Sequence, residues 1–288
     1  MPRFSLIVAT KGRVDELQRL LSSLLTQEPA DYELIIVDQN ADDRLATVIS
    51  AFPEQCRLRY IRCEPGVSRA RNLGIAAATG QILSFPDDDC WYLPDTLHNV
   101  DRWFREHPAY GILSVTSRDD NGVRSGNRWA VESCDLSSLN VFRASATYTF
   151  FVNRAGKAHD LWFDENIGPG CGNAVLSGED TDYVLSALDR GVKGRFYAKW
   201  YIGHPRKDII GGFITRERAY GYGFGMGTVE GKHGLLLLVI ASAGYDFVRA
   251  ALVLLLGRRL PASLWLAHGR GAIAGYRAKR AELRASAT

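Results

Sequence analysis

Over the N-terminal third of the chain, short apolar runs alternate with stretches in which leucine or alanine recurs every three or four positions. Residues 4–10, FSLIVAT, predict a strand buried on both faces of a parallel sheet. Leu17, Leu20, Leu21, Leu24 and Leu25 follow at helical spacing up to a break at Pro29, and residues 32–37 form a second apolar run. The alternation continues with a short helix over 44–51, a strand over 58–63, a helix over 68–78 closed by Gly80, and a strand over 81–85. These intervals are long enough for parallel crossovers. The pattern therefore predicts a layered α/β sheet with its ligand site at the carboxyl ends of the strands.

Beyond Pro94 the pattern loosens into a helix over 94–107, a strand over 112–116, a polar loop over 118–126 and a strand over 148–152. A glycine-rich loop over 168–172 precedes a helix over 179–190, which Gly191 ends. Near Gly234 the composition turns abruptly to leucine and alanine with arginine, which marks a boundary.

With 288 residues, 46% hydrophobic and 23% charged, the chain is ordinary globular material for one or two domains. A net charge of +3 is too small for a dedicated nucleic-acid binder. That charge is unevenly placed: residues 257–288 hold seven basic side chains and one acid, so the rest of the chain is slightly acidic. Five cysteines without paired close spacing fit a reducing compartment. The first apolar run is too brief for a secretory core and is followed at once by Lys11 and Arg13, so no export signal is expected. The uncharged run over 234–245 is short of the roughly 20 residues that span a bilayer, and Asp246 and Arg249 interrupt it. Interleaved with the arginines beyond it are Leu264, Trp265, Leu266, Ile273 and Tyr276, a pattern suited to an interfacial helix or re-entrant hairpin, or to a pair of core helices.

The strongest chemical signal is Asp87-Asp88-Asp89 directly after a predicted strand. Three adjacent carboxylates repel one another and call for an ion-pair partner or a divalent cation, unless they merely cap the next helix. Asp38 also follows a strand directly. Arg69, Arg71 and Asn72 stand at a glycine-introduced helix start that favours an anion. Glu179, Asp180 and Asp182 occupy a first helical turn, where the macrodipole keeps a carboxylate ionised and able to act as a base, or where they simply cap the helix. His204 sits at a strand end, either as a ligand or as a structural residue.

In order, these pieces resemble glycosyltransferase family 2, the inverting enzymes with the GT-A fold. The resemblance rests on Leu34-Ile-Ile-Val-Asp38, Arg69-Ala-Arg-Asn-Leu-Gly74, Phe85 to Asp89, Gly178-Glu-Asp-Thr-Asp182 and His204-Pro205. It implies a mostly parallel sheet flanked by helices in a domain over 1–232, with a nucleotide-sugar half over 1–116 and an acceptor half over 117–232. A helical, membrane-associating segment would occupy 233–288. Asp38 would contact the nucleotide base, with Thr10, Arg71, Asn72 and Asp88 also in the nucleotide-sugar site and Asp87 near the ribose. Asp89 would hold Mg²⁺ or Mn²⁺, with His204 a further ligand, and Asp180 beside Glu179 would be the catalytic base. The implied partners are a nucleotide-diphosphate sugar, a glycan acceptor on a polyprenyl diphosphate, and an anionic membrane at the cytoplasmic face of a bacterial inner membrane. The stretch 118–143, with Arg124, Arg128 and Trp129, would serve the acceptor. The Gln-x-x-Arg-Trp element of processive synthases is missing after Asp180, which implies single addition. Two rivals remain open: a nucleotidyltransferase using Thr10-Lys11-Gly12-Arg13 as a phosphate loop, and a non-catalytic nucleotide-sugar-binding scaffold.

Overall fold

The computed structural model describes residues 1–27, 31–53, 56–206 and 215–286; Pro29, the expected end of the first helix, lies outside them. The described residues form two compact units: Met1–Pro65, Arg69–Phe163 and 183–206 in the first, Gly66–Ser68, Asp164–Asp182 and 215–286 in the second.

The first unit is built on a sheet of eight strands. In chain order its elements are β1 (Phe4–Thr10), α1 (Asp15–Leu24), β2 (Tyr32–Asp38), α2 (Ala46–Ser50), β3 (Arg57–Arg62) and α3 (Val67–Ala77). Then come β4 (Ile82–Ser84), α4 (Thr96–Glu106), β5 (Ile112–Arg118), β6 (Cys134–Asp135), β7 (Phe150–Asn153), α5 (Glu179–Asp189) and β8 (Gly194–Gly203). The strand order is β3-β2-β1-β4-β7-β5-β8-β6. Strands β1 to β4 pair in parallel, as do β5 and β8, whereas β7 runs antiparallel to β4 and β5, and β6 to β8.

Both faces of β1 and β2 are buried, which is why neither shows the alternation of a half-exposed strand. Leu17, Leu20, Leu21 and Leu24 bury one face of α1, while Leu25, expected on that face, is the exposed C-cap. The edge strand β3 carries exposed Arg57, Arg59 and Arg62, charges that discourage edge-to-edge pairing. At the centre of the core, Phe85, Phe150, Phe163 and Tyr183 pack ring against ring. Trp129, assigned from sequence to the acceptor stretch, instead stacks on Phe196 in this core and donates its indole N–H to the Ser125 carbonyl.

The second unit holds the loop before α5, the first turn of α5, and the helices α6 (Arg216–Lys232), α7 (Leu236–Leu255) and α8 (Arg259–Ala285). Five glycines in α6 make it a poor helix by propensity, yet they permit very close packing. A Cβ on Gly223, Gly227 or Gly231 would meet the backbone of His268, Ala272 or Tyr276, and one on Gly271 or Gly275 of α8 would meet that of Tyr220 or Phe224. The matched four-residue steps make α6 and α8 parallel neighbours, so α6 groups with the C-terminal helices although the composition changes only after it. Gly234, at φ +70°, ends α6.

From Leu236 the uncharged run over 234–245 forms part of a longer helix. Asp246 and Arg249 do not interrupt α7, because Asp246 pairs with His268 and the Arg249 guanidinium lies over the Trp265 ring, both on α8. The helix therefore continues for 20 residues, long and apolar enough to cross a membrane by length and composition alone.

Candidate active site

Every candidate residue of the first unit lies at the carboxyl ends of parallel strands or on α3. Thr10 and Asp38 end β1 and β2 as register partners, and both are fully buried. The Asp38 carboxylate accepts from the Asn40 backbone N–H (2.8 Å), the Asn40 amide (2.6 Å) and the Tyr60 hydroxyl. Thr10 Oγ1 donates to Asp88 Oδ2 at 2.8 Å.

Two arginines divide the three adjacent carboxylates between them. Arg13 Nη1 lies 2.5 Å from Asp88 Oδ1 and 2.9 Å from Asp89 Oδ2, and Arg71 Nη2 lies 3.2 Å from Asp87 Oδ1. Burial disfavours the charge on Arg13, but the fields of Asp88 and Asp89 outweigh it and raise the guanidinium pKa above its ordinary value. Burial likewise pushes the Asp88 carboxyl up, against Arg13 and the Thr10 hydrogen bond. Cys90 beside them is kept a thiol, chiefly by burial and then by the three negative charges. Arg71 is itself buried, with its guanidinium 5.3 Å from the Phe163 ring centre. The Asn72 amide donates to the Phe163 carbonyl and accepts from its N–H, both at 2.9 Å, so it fastens that segment to α3.

His204 follows β8 immediately. Its backbone N–H donates to the Arg118 carbonyl, its own carbonyl accepts from Ser125 Oγ, and its ring stacks on Tyr148 at 4.3 Å. Nδ1 lies 2.8 Å from the Pro205 carbonyl, an acceptor that calls for a proton on Nδ1; in the neutral tautomer of that kind the lone pair is on Nε2. Nε2 is buried, makes no hydrogen bond to the described residues, and lies 3.3 Å from Asp89 Oδ1. One donor atom from each of Asp87, Asp89 and His204 falls within 4.8 Å of the others. Two carboxylates and an imidazole with an unused lone pair fit a divalent cation.

In the second unit, Glu179, Asp180 and Asp182 occupy the first turn of α5, as the sequence predicted. Asp180 Oδ1 accepts from the Thr181 N–H at 2.7 Å. Asp182 is buried, taking Lys232 Nζ on Oδ2 and His233 Nε2 on Oδ1, each at 2.9 Å.

Sequence reasoning did not single out Lys232 or His233 as site residues, and it named Arg13 only within the rival phosphate loop, not as the partner of the carboxylates. For Arg13 a signal existed, since it lies three residues past the end of the first strand. For Lys232 and His233 there was none, because their partner lies some fifty residues earlier on another helix. Of the two basic residues in the loop after β1, Arg13 is committed to Asp88 and Asp89, which weighs against the nucleotidyltransferase reading, while Lys11 is exposed.

Residues 5–162 match the family model described as glycosyl transferase family 2. The succinoglycan biosynthesis protein ExoO of Rhizobium meliloti (strain 1021) is 31% identical over 233 residues, 73% of this chain and 63% of its own. This chain spans 35 to 63% of the length of such curated relatives. Among solved structures, S. aureus TarS 1–349 in complex with UDP-GlcNAc superposes with a TM-score of 0.59 at 18% identity, covering 99% of this chain and 92% of that one. The mannosyltransferase PcManGT from Pyrobaculum calidifontis, in complex with GDP-Man and Mn²⁺, gives 0.62 at 17%, covering 96% and 87%. At these identities the likeness is one of fold, and the fold is GT-A.

Proposed function

The chain belongs to glycosyltransferase family 2, and we propose that it is an inverting, single-addition glycosyltransferase acting on a nucleotide-diphosphate sugar. The observation that carries this reading is the convergence of Asp87, Asp89 and His204 at the carboxyl edge of the sheet, with a buried imidazole nitrogen that has no hydrogen bond among the described residues. Asp89 and His204 would hold Mg²⁺ or Mn²⁺, with Asp87 completing the set from the ribose side. Bound there, the ion supplies positive charge to the diphosphate leaving group. Asp38 faces the nucleotide base. Thr10 and Asp88 frame the same end of the site through their hydrogen bond, and Arg71 and Asn72 border the nucleotide.

Asp180, with Glu179 beside it, accepts the proton of the acceptor hydroxyl. The freed oxygen attacks the anomeric carbon opposite the diphosphate, the carbon–oxygen bond to phosphate breaks, and the configuration inverts. The acceptor is a glycan carried on a polyprenyl diphosphate for cell-surface polysaccharide, a reading supported by the likeness to ExoO and by the exposed apolar face of α7. Such an acceptor places the protein at the cytoplasmic face of a bacterial inner membrane.

Thermal shift with UDP-GlcNAc, GDP-mannose and other nucleotide sugars tests the donor. One donor should raise the melting temperature in Mn²⁺ and fail to do so in chelator. Asp89→Ala should abolish that shift with the fold retained, and undiminished turnover in excess chelator overturns the metal assignment. Asp180→Asn should keep the donor shift and lower turnover by about 10² or more. No turnover of any donor by the parent protein would instead support a non-catalytic scaffold.

A further inference from the structure

A buried carboxylate needs compensating charge or hydrogen bonds, and the partners that supply them also fix its position. Asp182 is only 1% exposed, and each of its oxygens is bound by a different residue of one neighbouring segment, Lys232 on Oδ2 and His233 on Oδ1. Lys232 Nζ makes a second ion pair with Asp164 Oδ2 at 2.8 Å, in the loop that leads toward α5. Burial opposes the charge on Lys232, but Asp182 and Asp164 outweigh it, so its pKa is raised above the ordinary lysine value. With both oxygens engaged, the carboxylate can neither rotate nor withdraw without breaking a charge-assisted bond.

Along its length α6 touches the entry to α5 at three further points. Ser177 Oγ donates to the Tyr222 carbonyl at 2.9 Å. A Cβ on Gly225 would lie 2.3 Å from the Ser177 carbonyl oxygen, and one on Gly178, at φ +99°, would lie 2.8 Å from Val229. Asp180 stands two residues before Asp182 in the same helical turn, so whatever fixes the rotation of that turn fixes where the Asp180 side chain leaves the backbone.

We infer that Lys232 and His233 are positioning residues for transfer: through Asp182 they orient the helical turn that presents Asp180 to the acceptor hydroxyl. This rests on the reading of Asp180 as the base. A base misplaced by about 1 Å costs up to roughly 10²-fold in rate without weakening binding of a donor held elsewhere.

The test uses the full chain with Mn²⁺, reading nucleotide release from UDP-GlcNAc and GDP-mannose, together with amide exchange of residues 179–183. Lys232→Met should lower kcat by about 10- to 100-fold with donor KM unchanged, and should speed amide exchange in the first turn of α5 by tenfold or more. Lys232→Arg, which keeps the charge, should restore most of kcat. Wild-type kcat and unchanged exchange in Lys232→Met overturn the inference, as does a parallel change of kcat and donor KM that arginine does not rescue. Should Lys232→Met not fold, His233→Asn is measured in the same way; a loss of kcat alone supports the inference and a wild-type kcat overturns it. Asp180→Asn is run alongside to separate the two readings. If it keeps full kcat, the base assignment fails; if it is inactive while Lys232→Met behaves as the parent, only the positioning role fails.

Discussion

Glu33 is a charge inside a strand whose neighbours are apolar, and it is tolerated because its Oε1 gathers almost every polar group near it. Ser5 Oγ (2.6 Å), the Thr79 N–H (2.6 Å), Thr79 Oγ1 (2.8 Å) and the Gly80 N–H (3.1 Å) all donate to it, tying β1, β2 and the turn before β4 together. Burial pushes this carboxyl up, but the hydrogen bonds, aided by Arg59, hold it below the usual glutamate value. Because the folded pKa is lowered, the stabilisation is present above the unfolded pKa and is lost as pH falls through the folded one. Glu33→Gln should therefore cost about 1–3 kcal/mol at pH 7 in urea unfolding, with the gap to the parent closing in acid. A constant gap from pH 7 to pH 3 would show that the charge contributes nothing. At this scale, residues set directly after strands were legible, including Asp38, Asp87, Asp89 and His204, because a parallel sheet delivers every strand end to one edge. Glu33 and Lys232, and the pairing of Arg13 with Asp88 and Asp89, were not, because their meaning lies in partners far away in sequence. Composition treats each of them as one more surface charge.

Among the elements, the apolar runs and leucine spacing made β1, β2, α1 and α4 readable, since burial imposes a period on the sequence that forms them. Helix α6 was missed because RERAYGYGFGMGTVEGK contains five glycines, each unfavourable to a helix by roughly 1 kcal/mol relative to alanine. Only the close approach of α8 explains them. The same packing buries Glu230, whose Oε1 has Ser242 Oγ at 3.4 Å and whose Oε2 has no hydrogen bond among the described residues. Burial pushes this carboxyl up to about 7, with Ser242 and His268 drawing it down and Asp246 adding to the rise. Here the sign is opposite to that of Glu33. Between the ordinary glutamate pKa and 7 the folded state keeps a proton that the unfolded state releases, so stability falls as pH rises through that window and stays lower above it. Glu230→Gln should gain on the order of 3 kcal/mol over the parent at pH 8 and nearly nothing at pH 4. Melting temperatures of the two proteins from pH 4 to 8 check this, and parallel curves would mean that Glu230 titrates alike in the folded and unfolded states.

For the molecule as a whole, the question is what meets the exposed side of α7. Leu237, Ile240, Val248, Leu252 and Leu255 all lie on exposed positions at helical spacing, while Val239, Ala243, Asp246 and Ala250 are buried. An uncovered stripe of this kind needs an occupant. The surrounding charge favours a lipid surface: Arg258 and Arg259 are exposed at the turn between α7 and α8, and the chain beyond Gly257 carries seven basic residues to one acid. Although α7 is long enough to cross a bilayer, Asp246 and its partner His268 give one side of it an ionisable pair, expensive in hydrocarbon and inexpensive where that side packs on protein. Lying in the interface with the leucines down satisfies both sides. Each basic residue near an anionic surface contributes about 1 kcal/mol, screened within roughly 10 Å at 0.1 M salt, whereas insertion of the leucines is not screened. The full chain should therefore sediment with vesicles containing phosphatidylglycerol at low salt, and more weakly, though still measurably, at 0.5 M salt, about five times the salt of that 10 Å screening. Leu237→Glu with Leu252→Glu should release it at either salt, because the charges then fall on the face that enters the acyl boundary. If the parent stays in the supernatant and elutes as a dimer that this double variant converts to a monomer, the stripe is an interface between two copies, and the lipid-linked acceptor loses its structural support.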